Sequence, residues 1–116
     1  MRAVLQRVSK ASVTVTGKVT GEIDHGFMIL LGIEHEDNLE DVEWLAKKAC
    51  ALRVFSDDEG LMNKSIGDVG GSFLVVSQFT LHASYKKGTR PSFIKAAKPE
   101  EANKLYESFC DELVKL

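Results

Sequence analysis

The stretch "VVSQFTLHA", Val75 to Ala83, places two hydroxyls, an amide and an imidazole within six residues: Ser77, Gln78, Thr80 and His82. These are groups from which a hydrolase builds a nucleophile, a base and oxyanion donors. Read as one continuous strand, the stretch turns Ser77, Phe79 and Leu81 to one face and Gln78, Thr80 and His82 to the other. Two residues along a strand span about 6.5 Å, too far for the direct hydrogen bond by which His82 would activate Thr80. Ser77 has no base on its own face, and "SQFTL" lacks the flanking glycines of a G-x-S-x-G elbow. Where a strand leaves its sheet, however, adjacent backbone N–H groups lose their ladder partners and can face a developing oxyanion, with Gln78 and Thr80 orienting the substrate. The plainer reading is a strand end satisfied by polar side chains.

Other chemistry-bearing residues are less suggestive. His25 and His35 flank an apolar run in loops and are expected to be solvated, and "SDDEG" has carboxylates without the spacing of a calcium loop. Cys50 and Cys110 have no C-x-x-C partner or histidine at ligand spacing, so they read as reduced core residues of helices, and no metal is expected.

Net charge is -2, but the charges are segregated. Met1 to Gly21 carries Arg2, Arg7, Lys10 and Lys18 with no acid, and His82 to Lys98 carries Lys86, Lys87, Arg90, Lys95 and Lys98, again with no acid. Brought together, these segments would make a basic face with Tyr85 and Phe93 set in it, suited to a phosphate backbone and a stacked base. A solvated loop with ordinary lysines is the alternative.

The elements that position these residues follow from periodicity. Alternation predicts strands at Arg2 to Val8, Ser12 to Thr16 and Val19 to Ile23, with a turn at Gly17 and Lys18. "GFMILLGI", Gly26 to Ile33, reads as a central strand buried on both faces. Asp37 and Glu40 resemble a capping box before a helix from Leu39 to Leu52. "RVF" reads as a short strand and "SFLVVSQFTL" as a second apolar strand. Pro99 opens a last helix with the stripe Ala102, Leu105, Tyr106, Phe109, Cys110, Leu113, Val114. The expected fold is a single α/β (α+β) domain over residues 1–116, a mixed, strongly twisted sheet or partial barrel covered by two main helices. At 116 residues such a domain is only marginally able to bury a core, which a second copy would help. No apolar run approaches the roughly 20 residues of a membrane-spanning helix, and the N-terminus lacks the continuous apolar block of a signal peptide, so a cytosolic location is expected.

Five blocks in register, "MRAVLQRVSKASVTVTG", "GFMILLGI", "LRVFSDDEGLMNKSI", "FLVVSQFTL" and "KKGTRPSF", closely resemble the D-aminoacyl-tRNA deacylase family, also called D-tyrosyl-tRNA deacylase. The resemblance runs from Met1 to the final helix, with Ser77 to Thr80 as its signature. It implies a cytosolic homodimer that hydrolyses the ester between a D-amino acid and the terminal ribose of tRNA and removes glycine mischarged onto tRNA. It implies no metal or organic cofactor. The signature would line a pocket at the dimer interface, where the backbone of Phe79 and Thr80 holds the substrate and Gln78 shapes the site. The tRNA's own 2′-hydroxyl would assist attack by water. Arg7 would brace the pocket; Ser77, Phe93 and Ala102 would bind substrate; and Lys86, Lys87 and Arg90 would meet tRNA.

One family feature is absent. A Gly-Pro pair near the family's C-terminus, inserted across the dimer to exclude L-amino acids, has no counterpart, since Pro91 and Pro99 follow Arg90 and Lys98. The family's closing strands are missing with it, as in a truncated chain. This polypeptide alone is therefore expected not to reject L-aminoacyl-tRNA. Two rivals remain at this stage: a non-catalytic tRNA-binding module, and a hydrolase using Thr80 as its nucleophile.

Overall fold

The alternating residues at the start of the chain do form strands, but they do not all join one sheet. In the computed structural model, which describes residues 1–84, 86 and 88–116, β1 (Arg2–Val8) pairs elsewhere, while β2 (Ala11–Val15) and β3 (Lys18–Ile23) make a hairpin of their own. Its turn lies one residue earlier than expected. Thr16 (φ 52°) and Gly17 (φ 77°) both adopt the left-handed backbone that a two-residue turn matching strand twist requires.

The apolar run forms β4 (Gly26–Gly32), the centre of a three-stranded sheet with β1 antiparallel on one side and β7 (Ser72–Ser77) parallel on the other. Parallel neighbours need a long crossover. Here it comprises α1 (Leu39–Ala51) and a small hairpin of β5 (Phe55–Ser56) and β6 (Met62–Lys64). After β7 come a 3-10 turn (Phe79–His82), a loop, and α2 (Pro99–Lys115). The mixed sheet with two helices is as expected, and β6 is an addition. It exists because Asp57 closes the "SDDEG" turn, accepting hydrogen bonds from the Glu59 and Leu61 N–H groups (both 2.9 Å) and from the Asn63 amide (2.8 Å). Asn63 first, and then the Leu61 N–H, hold the Asp57 carboxyl below its usual range.

Phe27, Ile29 and Leu31 project from β4 into a core closed by Val42, Ala46 and Ala49 of α1 and by Phe109 and Leu113 of α2. Both helices sit on that face, so the expectation that β4 is buried on both sides holds for one side only. On the other, Met28 and Leu30 are half-buried and their neighbour Val4 is 50% exposed. Gly26 allows the close approach of β7, because a Cβ there would lie 1.9 Å from the Ser72 carbonyl oxygen.

Three further expectations are corrected. The α1 cap is Asn38, whose side chain accepts from the Glu40 and Asp41 N–H groups while Asp41 returns the bond; Asp37 instead binds the Met1 ammonium at 2.7 Å. Val114, placed in the apolar stripe, is 87% exposed, while its neighbour Leu113 in the same turn is the one that enters the core. Finally, β7 stops at Ser77 rather than running through Leu81. Among the described residues no helix is long and apolar enough to cross a membrane.

The accessible surface is 7962 Å². A compact monomer of 12.8 kDa exposes about 6,300 Å². The β2–β3 hairpin lies outside the three-stranded sheet but meets β7, where a Cβ at Gly21 would come 2.9 Å from Leu74 Cδ1.

Candidate active site

The strand end that carries the signature is fixed by β4. Ser77 is in register with Leu31, and the Gln78 N–H donates to the Leu31 carbonyl at 2.8 Å, the last rung of the ladder. Gln78 is still extended (φ -141°, ψ 93°), after which Leu81 N–H donates to Gln78 O and Ala83 N–H to Thr80 O. Strand alternation therefore does not apply beyond Ser77. In a 3-10 turn successive side chains step by about 120°, so Thr80 and His82 diverge. Thr80 is exposed and His82 is 4% exposed. His82 is still no base for Thr80, though for this different geometric reason. Its Nδ1 faces Glu34 Oε1 at 3.1 Å, at ion-pair distance but off the line of a hydrogen bond.

The first N–H groups of any helical turn lack internal partners. Those of Phe79 and Thr80 accordingly have no hydrogen-bond acceptor among the described residues. The Gln78 side-chain amide donates to the Thr80 hydroxyl and fixes its orientation.

Beside this turn lies a cavity of about 490 Å³, a size typical of small-molecule sites. Ser77 and Phe79 form one wall; Phe93, Ala96 and Ala97 come from the loop; and Pro99, Ala102, Asn103 and Tyr106 come from α2. The loop wall is held by reciprocal hydrogen bonds between Ser84 and Ser92 (2.7 and 2.8 Å) and by Ala97 N–H donating to Ile33 O at 2.8 Å. The Phe79 and Phe93 rings meet edge to face, 5.0 Å between centroids. Tyr106 donates its hydroxyl to Val75 O at 2.7 Å and so ties α2 to β7 just before the signature. Burial, with the neighbouring Cys110 thiol, pushes the Tyr106 phenol up from its ordinary value, keeping it a neutral donor. Burial likewise raises both cysteine thiols.

Ser77, Phe79, Phe93 and Ala102 thus converge, with Gln78 and Thr80 on the adjoining turn. Arg7 does not join them. It pairs with Phe27, four residues along β4 from Leu31, or about 13 Å at strand rise. Its Nη1 donates to Val54 O at 2.7 Å, and it lines a separate cleft with Ser9, His25, Phe55 and Ser56. Lys86 and Arg90 are exposed in the loop after the turn, whereas Lys87 and Tyr85 lie outside the described residues. Of the first acid-free segment, Arg2 reaches the residue just before the second: its Nη1 donates to Leu81 O at 2.8 Å.

Sequence reasoning missed Ala96, Ala97, Pro99, Asn103 and Tyr106 as pocket residues. A signal existed: Ala102 and Tyr106 are one helical turn apart on one face, so a pocket alanine at 102 already implicates position 106.

A family model described as D-Tyr-tRNA(Tyr) deacylase matches residues 4–116. The chain is 61% identical over 113 residues to a D-aminoacyl-tRNA deacylase of Phocaeicola vulgatus, covering 97% of this chain and 75% of that protein. It is 60% identical over 116 residues to that of Akkermansia muciniphila, covering 100% and 77%. Among solved structures, a c-Myc DNA unwinding element binding protein superposes with a TM-score of 0.93 at 43% identity, over 99% of this chain and 77% of that one. A probable eukaryotic D-amino acid tRNA deacylase superposes at 0.79 over 96% and 65%, and at 18% identity that likeness concerns the fold alone.

Proposed function

The chain belongs to the D-Tyr-tRNA(Tyr) deacylase family, and on that footing we propose that it hydrolyses the ester joining a D-amino acid to the terminal ribose of tRNA, a proofreading step in translation. The observation that carries the reading is the pair of N–H groups at Phe79 and Thr80, without an acceptor among the described residues, on a turn whose Phe79 lines an apolar cavity. Acyl transfer builds negative charge on the carbonyl oxygen as a nucleophile attacks, and two preoriented backbone donors stabilise that charge without having to reorganise. The aminoacylated ribose enters between Phe79, Phe93 and Ala102, its carbonyl oxygen toward the two N–H groups. Water attacks, assisted by the 2′-hydroxyl of the same ribose; the ester C–O bond breaks, releasing the free amino acid and tRNA. Gln78 holds the Thr80 hydroxyl in place, and that hydroxyl forms no covalent bond to substrate.

Glycine attached to tRNA fits the same site, since it asks less room. Lys86, Lys87 and Arg90 contact the tRNA phosphates, and the reaction takes place in the cytosol. The active form is a homodimer, supported by the half-exposed apolar side chains of Val4, Met28 and Leu30 on the sheet face away from the helices. A brace by Arg7 then comes from the second copy, since its own pocket is out of reach.

Single-turnover hydrolysis of D- and L-tyrosyl-tRNA by the 116-residue chain, with sedimentation of the same sample, tests this. The expected result is a dimer that cleaves both esters at rates within about ten-fold, about 1.4 kcal/mol of discrimination. An intact D-ester overturns the function, and tRNA binding without hydrolysis makes the chain a binding module. A strong preference for the D-form overturns only the expectation about chirality.

A further inference from the structure

The turn that carries the Phe79 and Thr80 N–H groups has a single buried side chain, and it is not apolar. Phe79 is 57% exposed and Thr80 is exposed, so neither packs the turn in place; the buried residue is His82. Its ring has room because position 32 is glycine: a Cβ at Gly32 would come within 3.0 Å of His82 Cδ2 and Nε2. Nδ1 lies 3.1 Å from Glu34 Oε1, off the line of a hydrogen bond, and among the described residues neither ring nitrogen has a hydrogen-bond partner. Glu34 is itself fixed, its N–H donating to Asp37 Oδ2 at 2.7 Å while Asp37 Oδ1 holds the Met1 ammonium. From β1, the Arg2 guanidinium faces the same turn at the Leu81 carbonyl.

We propose that His82 and Glu34 act as one positioning unit for the deacylation reaction, clamping the Gln78–His82 turn against the end of β4 so that the Phe79 and Thr80 N–H groups keep their aim. Neither touches substrate. This rests on the reaction proposed above and deepens it. A buried histidine used only as filler would be replaceable by an apolar side chain of similar size. One set against a carboxylate fixes both the depth and the rotation of the turn, and small misplacements of oxyanion donors are costly to rate.

The test is a double-mutant cycle of His82→Asn and Glu34→Gln, read by single-turnover hydrolysis of D-tyrosyl-tRNA and by amide exchange of Leu81 and Ala83, whose N–H groups close the turn. Each single variant is expected to lower kcat about ten-fold with KM within about two-fold, and the double variant to be no slower than the slower single, as for residues acting as a unit. Exchange at Leu81 and Ala83 should accelerate in each. Losses that multiply in the double variant, or unchanged kcat and exchange in both singles, overturn the proposal. Glu34→Gln is isosteric at a side chain 28% exposed and carries the test should His82→Asn fail to fold. A wild-type chain that leaves the ester intact contradicts the proposed function, and the exchange rates then still decide whether the clamp exists.

Discussion

Proline at position 79 lowers kcat for D-tyrosyl-tRNA by about 10²- to 10³-fold while the chain stays folded, the loss expected when one oxyanion donor is removed. The site is unusually well suited to this substitution. Phe79 is the first residue of its turn, where proline's fixed φ is accommodated and the missing N–H breaks no internal hydrogen bond. Gln78 before it is already extended, as a residue preceding proline must be. The change therefore deletes one N–H and one ring. Phe79→Ala separates the two, since it loses only the edge-to-face contact with Phe93 and should act mainly on KM. The measurement is single-turnover deacylation of the three proteins, with thermal unfolding as the folding control. Equal kcat in Phe79→Pro and Phe79→Ala would remove the backbone donor from the mechanism.

Phenylalanine at position 102 is expected to lower kcat/KM by about 10- to 100-fold, with little change in unfolding temperature. Ala102 contributes one methyl group to a cavity of 490 Å³ between α2 and the signature. A ring there occupies the space that substrate needs, and forcing extra carbon into a filled site costs about 1–3 kcal/mol. The free protein bears little of that cost, because Ala102 is half-buried and opens on a cavity, not on the packed core of Phe109 and Leu113. Ala102→Ser, nearly isosteric, should bind substrate almost as the wild type does. The comparison is a substrate titration of the three proteins, and unchanged KM in Ala102→Phe would place the substrate elsewhere.

These expectations depend on features that differed in how readily the sequence showed them. β1, the β2–β3 hairpin, β4, α1 and α2 were legible because each carries its own period and punctuation: alternation around Val13 and Val15, the run Phe27 to Leu31, Pro99 at a helix start. The end of β7 was not. "VVSQFTL" stays apolar and β-prone through Leu81, yet the ladder stops after the Gln78 N–H bond to Leu31 O, and the next carbonyl on that edge, Ile33 O, accepts from Ala97 of the loop instead. That limit is a tertiary fact. The exposure of Thr80, the burial of His82 and the contact of His82 with Glu34, 48 residues earlier, all follow from that stop. The family signature lies on this turn, and His82 is no base for Thr80 there either, though for a different geometric reason. Arg7 shows a limit of another kind: only the register of β1 on β4 reveals that it sits at the other end of the sheet from its own chain's cavity.

The central claim, that the turn acts through its backbone and that water and the tRNA supply the attack, is tested most directly by Thr80→Ala in single-turnover hydrolysis of D-tyrosyl-tRNA, with mass analysis of the protein during the reaction. The account predicts a rate within about ten-fold of wild type, the loss being that of one hydrogen-bonded hydroxyl at the turn, and no mass increase on either protein. Complete loss of hydrolysis in Thr80→Ala, together with an aminoacyl adduct on wild-type Thr80, would contradict it.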